Sequence, residues 1–204
     1  MRRSTYLVLP LVLVAFTGCL KRSHPVVLHT LRPLLLEEHK AASPAPPLAL
    51  EVMPVQIPDM LQRPQIVSVQ GPERLGLSEI HRWGNPLEKE IQRVVVENLE
   101  ALLGGDTVVA YPLGERVKAP YRLSLEVQAL NGQPGGMLRL DATWMLIRPA
   151  GGPAILLRRV HLQEPVQDSG TDGLVAAHSR ILETLSRGIA AELKGSPAYN
   201  HSPN

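Results

Sequence analysis

The chain has 204 residues, 44% hydrophobic but only 3% aromatic, so the expected organisation is one domain with an aliphatic core and flanking segments. Its formal net charge is +2. Arg2 and Arg3 fall in a segment expected to be removed, and without them the 21 basic residues become 19, equal to the 19 acidic ones. Near-neutrality excludes the broad basic footprint of a nucleic-acid binder, and a single cysteine excludes an internal disulfide.

From the amino terminus, Arg2 and Arg3 form a basic region and Tyr6 to Phe16 an apolar one, broken only by Pro10. This is the layout of a secretory signal over residues 1–18, shorter than the roughly 20 apolar residues that a membrane span needs. Cys19 follows Thr17 and Gly18. That placement resembles a bacterial lipobox, in which the signal is cut before the cysteine and the cysteine is acylated. The residue three before Cys19 is Phe16, where the pattern usually has leucine. Leu20, rather than aspartate, follows the cysteine, which by resemblance to Gram-negative lipoproteins implies export to the outer membrane. Residues 19–24 then read as a tether.

The domain is expected over residues 25–195. Pro25–Leu34 reads as a strand, Glu37–Pro47 as an exposed Pro/Ala-rich loop, and Leu48–Ile57 as a second strand. Gln65–Val69 and Glu73–Glu79 read as short strands joined by a turn at Gly71-Pro72. A helix follows, with Asn85 as N-cap, Pro86 at its first position and Glu88 completing a capping box. Leu87, Ile91, Val94, Val95 and Leu102 mark its apolar face, and Gly104-Gly105 ends it.

Asp106–Pro112 reads as a strand. Tyr121–Leu130 alternates, with Tyr121, Leu123, Leu125, Val127 and Ala129 on one face. Met137–Leu146 alternates again through Leu138, Leu140, Ala142 and Trp144, and Ala154–Leu162 is a third strand of the same antiparallel meander. A long helix is expected over about Asp172 to Lys194. Thr171 or Asp172 caps it, and Leu174, Ala177, Ile181, Leu185, Ile189 and Leu193 form its buried stripe. Residues 196–204 read as a disordered tail. The fold class is α/β: a layered sandwich in which two main helices cover a mostly antiparallel mixed sheet.

Chemistry is harder to find. The seven histidines, at positions 24, 29, 39, 81, 161, 178 and 201, show no metal-ligand spacing, and they read as solvated surface residues. No H-E-x-x-H, G-x-S-x-G or G-K-[ST] occurs, and lipidation accounts for the lone cysteine. Asp141 could serve as a strand-borne carboxylate, but Arg139 and Thr143 beside it suggest a polar outer sheet face. The reading is therefore not an enzyme, with no metal and no cofactor. In "HRWGNPLEKE" (His81–Glu90), Trp83 reads as a plug beneath the helix N-terminus, and Arg82 as a candidate interface anchor.

Two stretches carry a family resemblance. "P-x-x-L-x-R-P-Q-I-V" (Pro58–Val67) and "H-R-W-x-x-P-L" (His81–Leu87) resemble the ABC-type transport auxiliary lipoproteins, a family that includes the outer-membrane lipoprotein of the paraquat-inducible lipid-transport system. Leu174–Leu193 is similar to that family's last helix. Val26–Leu31 departs from it, with Leu28 and His29 where relatives often carry tyrosines. The resemblance implies a layered α/β fold and a non-enzymatic lipoprotein at the periplasmic face of the outer membrane. It also implies MCE-domain and ABC-transporter partners, lipid or another hydrophobic cargo, and compatibility with a homo-oligomer. Pro58 and Pro64 bracket "DMLQR" and prevent a long helix, so the segment displays Gln62, Arg63 and Gln65. These three and Arg82 are the candidate docking residues. The competing reading is a lipoprotein regulator of a cell-wall synthase.

Overall fold

The computed structural model describes residues 25–34, 49–71, 73–104, 107–113, 116 and 118–196. The leader, Cys19, the tether and the loop at 37–47 lie outside the described residues, as does the tail beyond Ser196. The described strands are β1 (Val27–His29), β2 (Ala49–Val52), β3 (Gln65–Val69), β4 (Leu75–Trp83), β5 (Thr107–Ala110), β6 (Tyr121–Gly132), β7 (Met137–Ile147) and β8 (Leu156–Pro165). The described long helices are α1 (Leu87–Leu103) and α2 (Thr171–Lys194). A single 3-10 turn, Asp59–Leu61, precedes β3.

The α/β sandwich is as expected, but the strands divide into two sheets. Five strands lie in the order β5-β2-β6-β7-β8, and three in the order β1-β4-β3. The β6–β7–β8 meander is antiparallel as its alternation requires. Three pairings are parallel: β1 with β4, β2 with β5, and β2 with β6. They join segments far apart in sequence, such as Ala49 opposite Thr107, and no turn signal announces them.

The inward faces of β6 and β7 carry Tyr121, Leu123, Leu125, Val127, Leu138, Leu140, Ala142, Trp144 and Leu146, all buried. Ala129 does not continue this row. The register slips between Val127 and Ala129, and Leu130 and Gly132 take the inward positions instead. Gly132 is required there, because a Cβ would collide with the Leu174 and Leu138 side chains. Both helices cover this face. The expected stripe of α2 is buried throughout, and α1 buries Leu87, Ile91, Val94, Val95, Leu99 and Leu103, with Leu102 packed at its margin. Each such aliphatic side chain contributes about 1.5–3 kcal/mol by leaving water.

The helix starts differ from expectation. Pro86, not Asn85, is the N-cap of α1, and no side chain caps that end. Asn85 instead donates to Glu90 Oε1 at 2.8 Å, so the carboxylate inside the helix takes the amide that was expected to cap the backbone. Gly170 precedes α2, which leaves Thr171 and Asp172 inside its first turn. Gly104 ends α1 in the left-handed region at φ 59°, where a Cβ is disfavoured. Ser196, placed in the tail by the sequence, is buried and donates to Leu193 O at 2.7 Å.

Candidate functional site

The small sheet is where the two family-like stretches meet. Trp83 N donates to Pro64 O at 2.7 Å, and Gln65 lies opposite Arg82 on β4. Between Gln65 and Val67, two steps along β3 are matched by five along β4, from Arg82 to Leu77, so β4 bulges over Ser78–His81. The bulge is held by Ser78 Oγ, which accepts from His81 N at 3.0 Å. It also makes β4 longer than expected: His81, Arg82 and Trp83 belong to the strand, not to the approach to the helix.

The four expected docking residues fall into two pairs. Gln62 and Arg63 line an open cleft of about 430 Å³ together with Pro64, Trp83, Gly84, Asn85, Pro86 and Glu88. Gln62 and Arg63 are both exposed, and Gln62 is tied to its own turn, donating to Ile57 O at 3.1 Å and to Asp59 Oδ1 at 3.3 Å. Gln65 and Arg82 face each other across the strands. The Nε–H of Arg82 is buried and meets no acceptor in the structure. A buried donor left unmet costs roughly 1–3 kcal/mol, so an arriving acceptor would be favoured there. Cys19 lies outside the described residues.

Apolar side chains stand exposed around this sheet. Val26, Val27, Leu28, Met60, Leu75, Leu77 and Ile80 are all exposed, Leu28 to 66%. They come from β1, β4 and the turn before β3. Singly, exposed apolar residues carry no meaning, and neighbours such as Val27 and Leu28 face opposite sides of their strand, but Leu75 and Leu77 share one face of β4. Sequence reading had assigned no role to these residues, because their strands look like ordinary half-buried ones.

A buried polar hub fixes this sheet to the helices. Glu90, on the apolar stripe of α1, accepts from Thr30 Oγ1 (2.7 Å), Leu31 N (3.0 Å), Asn85 Nδ2 (2.8 Å) and Arg93 Nη2 (2.8 Å). Burial alone would raise its pKa, but the donors, Arg93 first, outweigh that and hold it down at about 2. About two turns on, Asn98 accepts from Leu34 N at 2.6 Å and donates to Ser186 Oγ of α2 at 3.2 Å. Ser179 Oγ accepts from Arg32 N at 3.0 Å. The segment after β1 is thus strapped between both helices, with Leu31 buried. The signal was present in the sequence: Glu90 and Asn98 are polar residues on an otherwise apolar helical stripe.

Two expectations about histidine need correction. His178 is buried, edge-on to Trp83 with ring centroids 5.5 Å apart, and its Nδ1 lies 2.7 Å from Leu174 O. Desolvation pulls its pKa down to about 4, against the opposing effect of that carbonyl. Trp83 plugs the core beneath α1 as expected. His29 and His81 are only partly exposed, and their rings touch, with Nε2 of the first 2.8 Å from Nδ1 of the second. Asp172 at the start of α2 completes a cluster with them. Asp141, by contrast, sits on the polar outer face as expected. It pairs with Arg139 at 2.6 Å and His161 at 2.7 Å, and these partners, Arg139 first, hold its pKa below the usual carboxylate value.

No described helix is long and apolar enough to cross a membrane. The family model for the ABC-type transport auxiliary lipoprotein component matches residues 29–190. Among solved structures, an uncharacterised protein is 22% identical with a TM-score of 0.68, the match covering 83% of this chain and 99% of that one. A protein from Xanthomonas campestris is 16% identical with a TM-score of 0.62, covering 82% and 94%. These two share the fold. No curated protein matches the sequence.

Proposed function

Because the chain belongs to the ABC-type transport auxiliary lipoprotein family, we propose that it is the outer-membrane-anchored docking component of an MCE/ABC-type system moving lipid or another hydrophobic substrate between membranes. The observation that carries this reading is the small sheet, which exposes apolar side chains of β1 and β4 and also carries the unmet Nε–H of Arg82. An interface built this way joins an apolar centre to an arginine anchor, the combination enriched in binding hot spots.

Acylation of Cys19 supplies the membrane attachment. One acyl chain anchors marginally and two or more anchor stably, at about 0.8 kcal/mol per buried CH₂. Between Cys19 and Pro25 the tether spans at most roughly 20 Å when fully extended. The small sheet, which begins at β1, therefore stays close to the membrane surface. Gln65 and the exposed Arg63 flank the apolar group and orient the partner, while Gln62 shapes the turn.

The test is recovery of partners from solubilised envelope. Tagged protein should recover an MCE-domain protein, and Arg82→Ala together with Leu77→Ser should lose it. Recovery of a penicillin-binding protein in its place would favour the synthase-regulator reading and overturn this one. Cys19→Ala should release the protein from the membrane fraction; continued co-sedimentation with outer membrane would contradict the anchor.

A further inference from the structure

The cluster of His29, His81 and Asp172 borders the docking residues, with His81 just before Arg82 on β4, and it has the make-up of a metal site. His29 ends β1, His81 lies on β4, and Asp172 lies in the first turn of α2. The β1–β4 pairing places Val27 opposite His81 and brings the two rings together, their centroids 5.0 Å apart. One nitrogen of each ring and one Asp172 oxygen all lie within 4.8 Å of one another.

We infer that His29, His81 and Asp172 bind one divalent transition-metal ion of the zinc class. Two imidazoles and a carboxylate form a set that suits such ions, with a fourth position open to water. A tetrahedral ion with bonds of about 2.0–2.1 Å needs donors roughly 3.3 Å apart. The two histidine nitrogens, at 2.8 Å, need to separate slightly. Asp172 stands 3.7 Å from the other ring nitrogen of His29, Nδ1, so its oxygen needs to swing toward the Nε2 side, and its side chain is 81% exposed and free to do so.

The surroundings permit this. His29 and Asp172 border an open cleft of about 600 Å³ that leaves room for the fourth ligand. The nearby Arg180 is already committed to Glu164 at 2.6 Å and to Pro165 O at 2.8 Å, so its charge is compensated. The bound ion would tie β1, β4 and α2 together at one point. It would clamp the membrane-proximal strand onto the body of the domain, where the hydrogen bonds to Glu90 and Ser179 already hold the residues that follow.

The experiment is titration of the full chain, stripped with chelator, with Zn²⁺ alone by calorimetry. One saturable equivalent is expected, and Zn²⁺ should raise the thermal unfolding midpoint. His81→Gln and Asp172→Asn should each weaken binding by more than about tenfold. Both positions are at least partly exposed, and circular dichroism of the metal-free variants checks that they fold. Replacing His24, His39 and His201 together should leave binding unchanged. Co²⁺ should give weak visible bands without the intense thiolate transition, which excludes Cys19 as a ligand. No saturable equivalent, equal affinity in His81→Gln, or a thiolate band would each overturn the site. None of these outcomes bears on partner recovery, so the docking reading stands or falls separately.

Discussion

The five-stranded sheet and the three-stranded sheet share one apolar core, reached by Ile66 and Trp83 of the smaller sheet, but differ in what else holds them. In the larger one, alternating aliphatic rows on β6 and β7 meet the stripes of α1 and α2, and the inner face is almost entirely apolar. In the smaller one, the neighbouring strap is fixed by charge and hydrogen bonds, through Glu90, Asn98 and Ser179, while apolar side chains face solvent. A dry core tolerates shuffling of similar side chains, whereas a polar hub accepts only one arrangement of its donors. Buried polarity thus orients the small sheet without consuming the apolar side chains that an interface requires.

Breaking each region in turn tests that contrast. The largest effect belongs to the dry core: Trp144→Ala should cost about 3–5 kcal/mol in urea unfolding, because Trp144 is fully buried between sheet and helix. Next is Glu90→Ala, expected to cost roughly 3 kcal/mol near neutral pH. Native-state hydrogen exchange should show the amides of Leu31 and Leu34 losing protection before those of β6 and β7; uniform loss would erase the distinction between the regions. The sign with pH follows from the depressed pKa of about 2. The stabilisation is complete above the ordinary glutamate value near 4.5 and is lost as pH falls toward 2.

His178 joins the two regions, since it lies on α2 against Trp83 of β4. Its pKa is lowered from 6.5 to about 4, so the folded state favours the neutral ring. Stability is full above about pH 6.5 and declines as pH falls toward 4, by about 2 kcal/mol at pH 5. His178→Leu should flatten that part of the pH profile, and an unchanged slope would assign it to other groups. The smallest effect on stability belongs to the exposed apolar side chains of β4, the proposed docking face. Leu75→Ser with Leu77→Ser should stay within about 0.5 kcal/mol of the parent protein yet abolish partner recovery.

Much of the fold was legible because one period or another was unbroken. The strict alternation of Met137–Leu146 and the i, i+3, i+4 stripe from Leu174 to Leu193 each specify an element and its buried face without help from distant residues. Where a local signal had a competitor, the reading slipped. Asn85 had a helix end to cap and a carboxylate to meet, and the carboxylate won. Ala129 continued a pattern that a bulge had already shifted. The candidate docking residues were chosen from their motifs alone. The exposed apolar side chains of β1 and β4 left no such signal, because sequence shows that a residue is apolar but not that nothing covers it.

By itself the sequence determined the α/β class, the meander, the two amphipathic helices and the family-like stretches, all of which depend on neighbours within a few residues. The tertiary structure decided what depends on distant segments meeting. It set the parallel pairings that split the strands into two sheets, the burial of His178, the Glu90 hub that straps β1 to the helices, and the meeting of His29, His81 and Asp172. These rest on contacts across 50 residues or more. Such contacts form only once loop closure has been offset by packing, and no local period records them.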